Sequence, residues 1–439
     1  MRRRDALLAL SVLGASAAGC APRSQAQPVN DPLDAQLLEI LADPEAPLVS
    51  LAALSIRNGT VVYENAFGRR HVADTDGPDL PARTDTLFRV ASISKLVTTL
   101  GVMKLVEAGR LDLDADAGEY LGFPLRNPHF PAAKITVRMM LAHISSICDD
   151  GGYTWDETVD IRDVFVPGGS RYGTGAMYMP KSPGSYFRYT NVTWGVIGTV
   201  VERITGERYD LYMKRAVLDP LGMTGGYNAT AIDLSRMGTL YRKRIPEDDA
   251  KWYPEGPWIV QVDDYHGAPP VPRAGPNYVP GRNGALFGPQ GALRASITDL
   301  GRVMRMLMNR GELDGQRFLG AATIEKMFER QWRNVGPTSG QTYEDLTSPR
   351  FQAWALGNQH FLDVSGANQG DRLVEGGGFT GVGHLGDAWG LRGAFVFNRD
   401  SRDGFIFLAG GPGFDPATRP GKYSAFYRYE ERVMTALAK

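Results

Sequence analysis

Residues 48–63 read LVSLAALSIRNGTVVY, and they predict an antiparallel hairpin at the start of the fold. The apolar run 48–56 is strand-like, the pair Asn58-Gly59 follows it, and a second strand-like run begins at Thr60. Asn-Gly between two such runs is a strong hairpin signal, because both residues tolerate positive φ. We therefore expect the chain to open with two paired strands.

Strand signals return only near the other end of the chain. Residues 393–397 (GAFVF) and 404–408 (GFIFL) flank a polar turn. Between the two ends, apolar residues recur at helical spacing from Ser92, from Val192 and from about Asp299. Strands at both ends and helices in the middle predict an α+β fold, in which an antiparallel sheet is flanked by helices and carries an inserted helical domain.

This order of elements divides the chain into four parts. We predict a signal peptide (1–19), a tether (20–34), a sheet domain built from both ends of the remaining chain (35–115 and 285–439), and an inserted, mostly helical domain (116–284). The last helix of the sheet domain is expected at about 423–438.

The N-terminus has the pattern of an export signal. The basic segment Met1–Arg4 precedes an apolar stretch, Ala6–Gly19, that is shorter than the about 20 residues needed to span a bilayer. Adjacent arginines in this position resemble a twin-arginine signal. Residues 17–20 (AAGC) resemble a bacterial lipobox, with Ala17 where Leu is usual, and predict lipidation of Cys20. The alternative is cleavage at a nearby small residue and release of a free secreted protein.

Composition excludes several classes of protein. The 439 residues include 48 Lys and Arg against 49 Asp and Glu, and no long run of one sign appears, which disfavours nucleic-acid binding. A hydrophobic content of 43% predicts a globular protein with a substantial core. If Cys20 carries lipid, Cys148 has no disulfide partner, and we expect it to be a small buried thiol rather than a nucleophile.

The first candidate for chemistry is Ser92-Ile93-Ser94-Lys95, which opens a predicted helix. Residues three apart share a helix face, so Ser92 and Lys95 can touch. A desolvated, neutral Lys can take the Ser proton, and orphan N–H groups at a helix start favour an oxyanion. The alternative interpretation is an N-cap Ser beside a solvated Lys.

Two further motifs follow along the chain. Tyr189-Thr190-Asn191 lies just before the second helix, where a Tyr can relay a proton and an Asn can orient the Lys and a substrate carbonyl. The alternatives are an aromatic core residue with an Asn N-cap, or the competing triplet Tyr63-Glu64-Asn65 in the opening hairpin. The third motif, Gly383-His384-Leu385-Gly386, precedes the late strands, and its small residues let a substrate backbone approach.

Other chemistries lack their motifs. The sequence contains no G-x-S-x-G elbow, no H-E-x-x-H and no Cys/His cluster that could supply zinc ligands. The pattern G-x-G-x-x-G occurs from Gly376 and from Gly381, but a strand is predicted after it where a phosphate-binding helix is required. We therefore expect no metal and no cofactor.

In this order and spacing, the three motifs resemble those of the serine β-lactamase and penicillin-binding-protein superfamily. The resemblance is closer to the class C-type branch, which includes β-lactamase-like esterases, D-aminopeptidases and D,D-peptidases. Connecting segments are similar too, namely 136–143 (TVRMMLAH), 220–223 (PLGM) and 288–293 (GPQGAL). The resemblance covers about residues 35–435 and implies a β-lactamase/D,D-peptidase-like fold with the site between its two domains.

The resemblance also implies roles for the motif residues. Ser92 becomes the acyl-forming nucleophile, Lys95 its proton acceptor, and Tyr189 the residue that passes the proton to the leaving group. Substrate binding falls to Asn191, His384 and Gly386, and the oxyanion donors are the backbone N–H groups of Ser92 and Asp387.

One departure from the family bears on the substrate. His384 stands where the family has a Lys that grips a substrate carboxylate, and a His with an ordinary pKa near 6.5 is mostly neutral at pH 7. A contact to a charged group is worth about 1.5–3 kcal/mol. The replacement therefore favours an esterase or amidase over an efficient β-lactamase, although Arg392 is near enough in sequence to restore the charge.

We thus expect a serine hydrolase that acts through an acyl-enzyme on an ester or amide, as a carboxylesterase, D-aminopeptidase or D,D-peptidase-like enzyme does. Its partners would be a small-molecule or peptide substrate and, through Cys20, a bacterial membrane on the periplasmic side of the cell envelope. Two alternatives stay open: a β-lactamase proper, and a non-catalytic envelope protein that binds peptidoglycan or a peptide. The sequence does not select the substrate.

Overall fold

A computed structural model describes residues 31–73, 77–265, 268–336, 338–341 and 350–439. The predicted signal peptide, most of the tether and Cys20 lie outside the described residues. Within the described ranges, no helix combines the length and the apolar character needed to cross a membrane.

The centre of the fold is a nine-stranded antiparallel sheet. Its strands are β1 (Leu48–Arg57), β2 (Thr60–His71), β3 (Leu80–Pro81), β4 (Trp332–Arg333), β5 (Ala353–Trp354), β6 (Gln359–Phe361), β7 (Gly381–Ala388), β8 (Leu391–Phe397) and β9 (Gly404–Pro412). They lie in the order β4-β5-β6-β7-β8-β9-β1-β2-β3. The N-terminal hairpin therefore pairs with the last strand of the chain, and the predicted sheet from both termini is confirmed.

The opening hairpin has the predicted turn. Asn58 and Gly59 have φ values of 45° and 78°, and Arg57 pairs with Thr60. Strand β1 is buried on both faces, which explains its continuous apolar run. Alternate residues such as Leu51 and Leu54 enter the two different hydrophobic cores on either side of the sheet.

Ten α-helices surround the sheet in the described part of the chain. They are α1 (Pro32–Leu41), α2 (Ile93–Glu107), α3 (Ala117–Leu121), α4 (Val137–Leu141), α5 (Ile161–Phe165), α6 (Val192–Thr205), α7 (Tyr209–Met213), α8 (Ile297–Met308), α9 (Ala321–Phe328) and α10 (Arg428–Ala438). Helices α1 and α10 cover one face of the sheet, and α2 and α8 cover the other. The α+β architecture predicted from the sequence is confirmed.

Two boundaries differ from the prediction. Helix α1 begins at Pro32, inside the predicted tether, because the Asp31 carboxylate caps it by accepting the Leu33 N–H. Helix α10 begins about five residues later than expected, since the Glu431 carboxylate accepts the N–H groups of the residues before it, including Tyr423, and holds them in a loop. The motif around His384 forms a strand of its own, β7, which directly precedes the late strands β8 and β9 as expected.

The segment 116–284, predicted to be mostly helical, contains helices α3 to α7 and also two short hairpins. These pair Leu240–Arg242 with Ile259–Val262, and Arg244–Ile245 with Asp248–Trp252. One hydrophobic core runs from this segment into the sheet domain and includes Leu96 of α2 and Trp194 of α6. That shared core fixes α6 against the start of α2, where the site is located.

Candidate active site

The chain makes a tight turn immediately before Ser92. The short strand Phe88–Arg89 pairs with Arg294–Ala295, and Ala91 then takes a left-handed φ of 48°. An alanine in this conformation costs about 1–2 kcal/mol. The Ser94 hydroxyl helps to hold it by donating to the Ala91 carbonyl at 2.6 Å. The turn leaves Ser92 at the N-cap position of α2, where its side chain makes no capping hydrogen bond among the described residues.

Lys95 is fully buried one turn into α2, and its amine contacts three oxygen atoms. It donates to Asn191 Oδ1 at 2.8 Å and to the Gln290 carbonyl at 3.0 Å, and it lies 3.0 Å from Ser92 Oγ. Burial lowers the pKa of Lys95 to about 7, although the Asp149 carboxylate favours the charged form. A large fraction of Lys95 is therefore neutral near neutral pH, as activation of Ser92 requires.

The geometry also orients the lone pair of the neutral amine. A neutral amine has two N–H donors and one lone pair, and the oxygens of Asn191 and Gln290 can only accept. Once both N–H groups of Lys95 are used by these two oxygens, the lone pair is left for the Ser92 hydroxyl. The arrangement suits Lys95 to take a proton from Ser92.

Asp149 positions Asn191, and the sequence analysis did not identify it. Its carboxylate accepts the backbone N–H groups of Asn191 and Val192 at 2.8–2.9 Å and caps α6. It also accepts the Asn191 side-chain amide at 3.0 Å, so that Asn191 Oδ1 turns towards Lys95. Asp149 lies 42 residues before Asn191, and no local pattern connects the two.

Tyr189 is held between two flat rings. It stacks on His143 at 4.5 Å and on Phe351 at 5.2 Å between ring centroids. The Lys95 amine lies 4.9 Å from the centre of the Tyr189 ring. The Tyr189 ring is therefore fixed on both sides, and the residue lines the same cavity as Ser92.

His143 is a second supporting residue that the sequence analysis treated only as part of a family segment. It is buried in a left-handed conformation just after α4, and its Nδ1 accepts the Thr190 backbone N–H at 3.1 Å. Burial, with a smaller contribution from Lys95, lowers the pKa of His143 well below 6.5. A neutral His143 thus supports the Tyr189 ring without adding charge beside Lys95.

His384 is a buried, uncharged group in the cavity wall. Its Nδ1 lies 2.6 Å from the Leu385 carbonyl and donates to it, which leaves a lone pair on Nε2. Burial and then the nearby Lys95 lower the pKa of His384 to about 3. His384 therefore supplies no positive charge at neutral pH, in contrast to the Lys that the family carries at this position.

Gly386 lets strand β7 pack directly on the start of α2. A Cβ atom at this position would lie 2.8 Å from the Val90 carbonyl oxygen and 3.4 Å from Ile93, so only glycine fits. The next residue, Asp387, lines the same cavity as Ser92. The Ser92 N–H meets no acceptor among the described residues, as expected of a donor kept for an oxyanion.

Arg392 does not act as a free cation in place of the missing Lys. It forms an ion pair with Asp387 at 2.9 Å, lies 3.9 Å from Glu430, and stacks over the Tyr427 ring at 4.2 Å. Its charge is balanced by these two carboxylates. The alternative left open by the sequence, that Arg392 restores the family's charge, is therefore not supported by its contacts.

The predicted residues surround a single cavity of about 880 Å³. Its lining includes Ser92, Tyr189, Asn191, His384 and Asp387, while Lys95 and Gly386 lie directly behind the wall. The competing triplet at 63–65 is elsewhere, in β2, where the Tyr63 hydroxyl donates to Asp34 at 2.7 Å. The tertiary structure therefore brings the three motifs, which span about 300 residues of the chain, to one site.

Comparison with known proteins agrees with this geometry. A family model described as beta-lactamase matches residues 39–425. Fold and site together define a β-lactamase/D,D-peptidase-like protein, and the chain belongs to the β-lactamase family.

Particular relatives share parts of the sequence or the whole fold. Esterase EstB of Burkholderia gladioli is 32% identical over 189 residues, which are 41% of this chain and 47% of the esterase. Lovastatin esterase of Penicillium rubens is 31% identical over 207 residues, 40% of this chain and 48% of that enzyme. The matched region thus spans about half the length of these curated relatives. An octameric penicillin-binding protein homologue from Pyrococcus abyssi has a similar structure, with a TM-score of 0.60 and 21% identity over 88% of this chain and 74% of the homologue.

Proposed function

We propose that the protein is a serine hydrolase that cleaves an ester or amide through an acyl-enzyme on Ser92. The observation that carries the proposal is the buried amine of Lys95, with a pKa of about 7, placed 3.0 Å from Ser92 Oγ. A buried basic group beside a nucleophile is the arrangement that covalent catalysis needs. A merely structural N-cap Ser would not require a desolvated Lys.

The reaction follows from the groups around Ser92. Lys95 takes the hydroxyl proton while Ser92 Oγ attacks the substrate carbonyl, and the N–H groups of Ser92 and Asp387 hold the oxyanion. When the tetrahedral intermediate collapses, the Tyr189 hydroxyl protonates the leaving group and takes up in turn the proton held by Lys95, so that both groups regain their starting states. Water then attacks the acyl-enzyme, with the same groups returning the proton, and releases the acid.

Esters are the favoured substrates within this class. Both curated relatives described above carry esterase names. The neutral His384 removes the charge that holds a substrate carboxylate in a β-lactamase, which is worth about 1.5–3 kcal/mol. We therefore expect turnover of short-chain nitrophenyl esters to exceed that of nitrocefin by at least about tenfold in kcat/KM.

A labelled fluorophosphonate tests the nucleophile. We expect one adduct, on Ser92, and loss of both adduct and ester hydrolysis in Ser92→Ala. Ser185→Ala, at an exposed serine, is the matched control and should keep both. Unchanged hydrolysis in Ser92→Ala, or binding of muropeptides without turnover of any ester or amide, would remove the proposal and favour the non-catalytic alternative.

We also propose that the protein is exported to the bacterial cell envelope and anchored through a lipid on Cys20. Support comes from the basic, apolar and AAGC segments of residues 1–20. Labelled fatty acid should enter the wild-type protein and not Cys20→Ser, whereas Cys148→Ser should be labelled normally. Label retained in Cys20→Ser would contradict the anchor.

A further inference from the structure

One wall of the cavity carries more positive than negative charge. We call it the arginine wall, and it consists of Arg89 and Arg273, which line the cavity, and Arg294 behind them. The three guanidiniums lie close enough for Arg294 and Arg273 to lower the pKa of Arg89. Asp263 is the one buried carboxylate that interacts with all three among the described residues.

Asp263 is already occupied by Arg294. The Arg294 guanidinium, itself 2% exposed, donates to both oxygens of Asp263 at 2.5 and 3.0 Å. The Tyr265 hydroxyl donates to the same carboxylate at 2.9 Å. This bidentate pair compensates one arginine and leaves the charges of Arg89 and Arg273 without a partner in the wall.

The Arg89 side chain is buried and donates no hydrogen bond to any residue that the structure describes. Its side chain stacks over the Trp389 ring at 3.9 Å, and its Nε has no partner among the described residues. The residue is only 7% exposed. Burial, followed by repulsion from Arg294, lowers the pKa of Arg89 to about 9. Buried charges are ordinarily paired, so an unpaired guanidinium facing a cavity indicates an anion that enters from outside.

Arg273 faces the same space from another segment of the chain. Its Nη1 donates to the Leu286 carbonyl at 3.1 Å, and it forms no ion pair among the described residues. It also lies against Gly288, since a Cβ there would be 3.6 Å from Nη1. Two guanidiniums from segments almost 200 residues apart in sequence thus converge on one part of the cavity.

The position of the arginine wall in the cavity indicates which part of the substrate it contacts. Tyr189, which protonates the leaving group in the proposed reaction, lies near His384, with ring centroids 6.3 Å apart. Trp389, on which Arg89 stacks, lies in the turn that follows the end of β7, beyond Asp387 along the chain from His384. Asp387, whose N–H holds the oxyanion in the proposed reaction, lies between His384 and Trp389 along the chain. With the scissile carbonyl at Asp387, the leaving group extends towards Tyr189 and the acyl group extends towards the arginine wall.

We infer that Arg89 and Arg273 bind a carboxylate carried by the acyl part of the substrate, so that the preferred substrates are esters or amides of a dicarboxylic acid. This inference rests on the proposed hydrolysis at Ser92. Arg89 precedes Ser92 by three residues, which limits their Cα separation to about 11 Å and favours a short acyl chain. Arg–carboxylate pairs of this kind also give geometric specificity.

The test compares two esters that differ only in charge: 4-nitrophenyl hydrogen glutarate and its methyl-capped form, 4-nitrophenyl methyl glutarate. For each protein the readout is the ratio of kcat/KM for the anionic ester to that for the neutral ester. Arg273→Gln should lower this ratio about 10- to 100-fold. Arg273→Lys should retain part of the wild-type preference for the anionic ester. Arg83→Gln removes an arginine whose side chain is 70% exposed and should leave the ratio unchanged.

A ratio that does not fall in Arg273→Gln overturns the inference. If the wild-type protein hydrolyses neither these two esters nor any other ester or amide, the proposed function fails, and the carboxylate site is then decided by calorimetric binding of glutarate to Ser92→Ala. Weaker binding of glutarate to the double variant Ser92→Ala/Arg273→Gln than to Ser92→Ala then supports the site. Equal binding in the two proteins, or no binding of glutarate, overturns it.

Discussion

The Lys95 amine lies 3.0 Å from the Ser92 hydroxyl oxygen, and Asn191 Oδ1 and the Gln290 carbonyl accept its two other hydrogen bonds. This relationship couples the protonation state of Lys95 to the reactivity of Ser92. The oxygens of Asn191 and Gln290 can only accept hydrogen bonds. When Lys95 is deprotonated, its lone pair therefore faces Ser92. Several consequences can be measured.

Ester hydrolysis should depend on deprotonation of Lys95. The neutral amine is the base and the pKa of Lys95 is about 7, so kcat/KM should rise with pH, reach half its plateau near pH 7, and level off by about pH 8–9. Lys95→Arg keeps the charge and cannot deprotonate, and it should lose at least about 100-fold in kcat/KM at every pH. A profile with its maximum at acid pH would refute the assignment.

The same lysine should lower stability at low pH. In the unfolded chain its pKa is near 10.4, whereas in the folded protein it is about 7, so between these values the unfolded state binds more protons. The free energy of unfolding should therefore rise with pH in this window, by at most about 1.4 kcal/mol per pH unit for this group. Lys95→Met should remove the contribution of this lysine to the pH dependence of the free energy of unfolding. Denaturant unfolding of both proteins at pH 7 and pH 9 measures it, and equal pH dependence in the two would contradict the prediction.

The hydroxyl of Tyr189 should matter to the reaction more than to folding. Tyr189→Phe keeps the ring stacked between His143 and Phe351, so the free energy of unfolding should change by less than about 1.5 kcal/mol. Loss of the proton relay should lower kcat about 100- to 10,000-fold. Thermal unfolding and hydrolysis of an alkyl ester, whose alkoxide leaving group must be protonated, separate the two effects on one preparation. A fully active variant would mean that Tyr189 serves only packing.

Asp149→Asn should alter both α6 and the ionisation of Lys95. Loss of the charged cap should cost about 1–2 kcal/mol of stability. The Asp149 charge favours protonated Lys95, so its removal should move the acid limb of the pH–rate profile to lower pH. Asp150→Asn, at an exposed carboxylate paired with Arg188, is the control and should leave the limb in place. If the acid limb of the pH–rate profile does not shift in Asp149→Asn, Asp149 acts only as a helix cap and does not influence the ionisation of Lys95.

Gly386→Ala should separate strand β7 from α2. The new Cβ would lie 2.8 Å from the Val90 carbonyl oxygen, which is backbone and cannot move aside cheaply. We expect at least about 100-fold loss of kcat/KM, as for removal of an oxyanion donor. Gly77→Ala, where a Cβ meets no described atom within 4 Å, should remain active. An active Gly386→Ala variant would show that the strand does not need this close approach.

Much of the fold was accessible from local sequence patterns. The Asn58-Gly59 turn and the helix beginning beside Ser92 follow from backbone preferences and hydrophobic periodicity, which depend on neighbouring residues alone. The start of α10 was placed too early because the Glu431 carboxylate, eight residues later, holds Tyr423 in a loop. The hairpins within 116–284 were missed, since their strands are short and give weak alternation.

The sequence by itself determined the pairing of Ser92 with Lys95, because a spacing of three residues on a helix brings the two side chains together in any fold. Only the tertiary structure decided that the Lys95 amine is desolvated, that Asp149 turns Asn191 towards it, and that Arg89 and Arg273 share one cavity wall. Desolvation and charge balance depend on which distant segments exclude water from a group. They arise only when the chain has folded and its core has closed around α2.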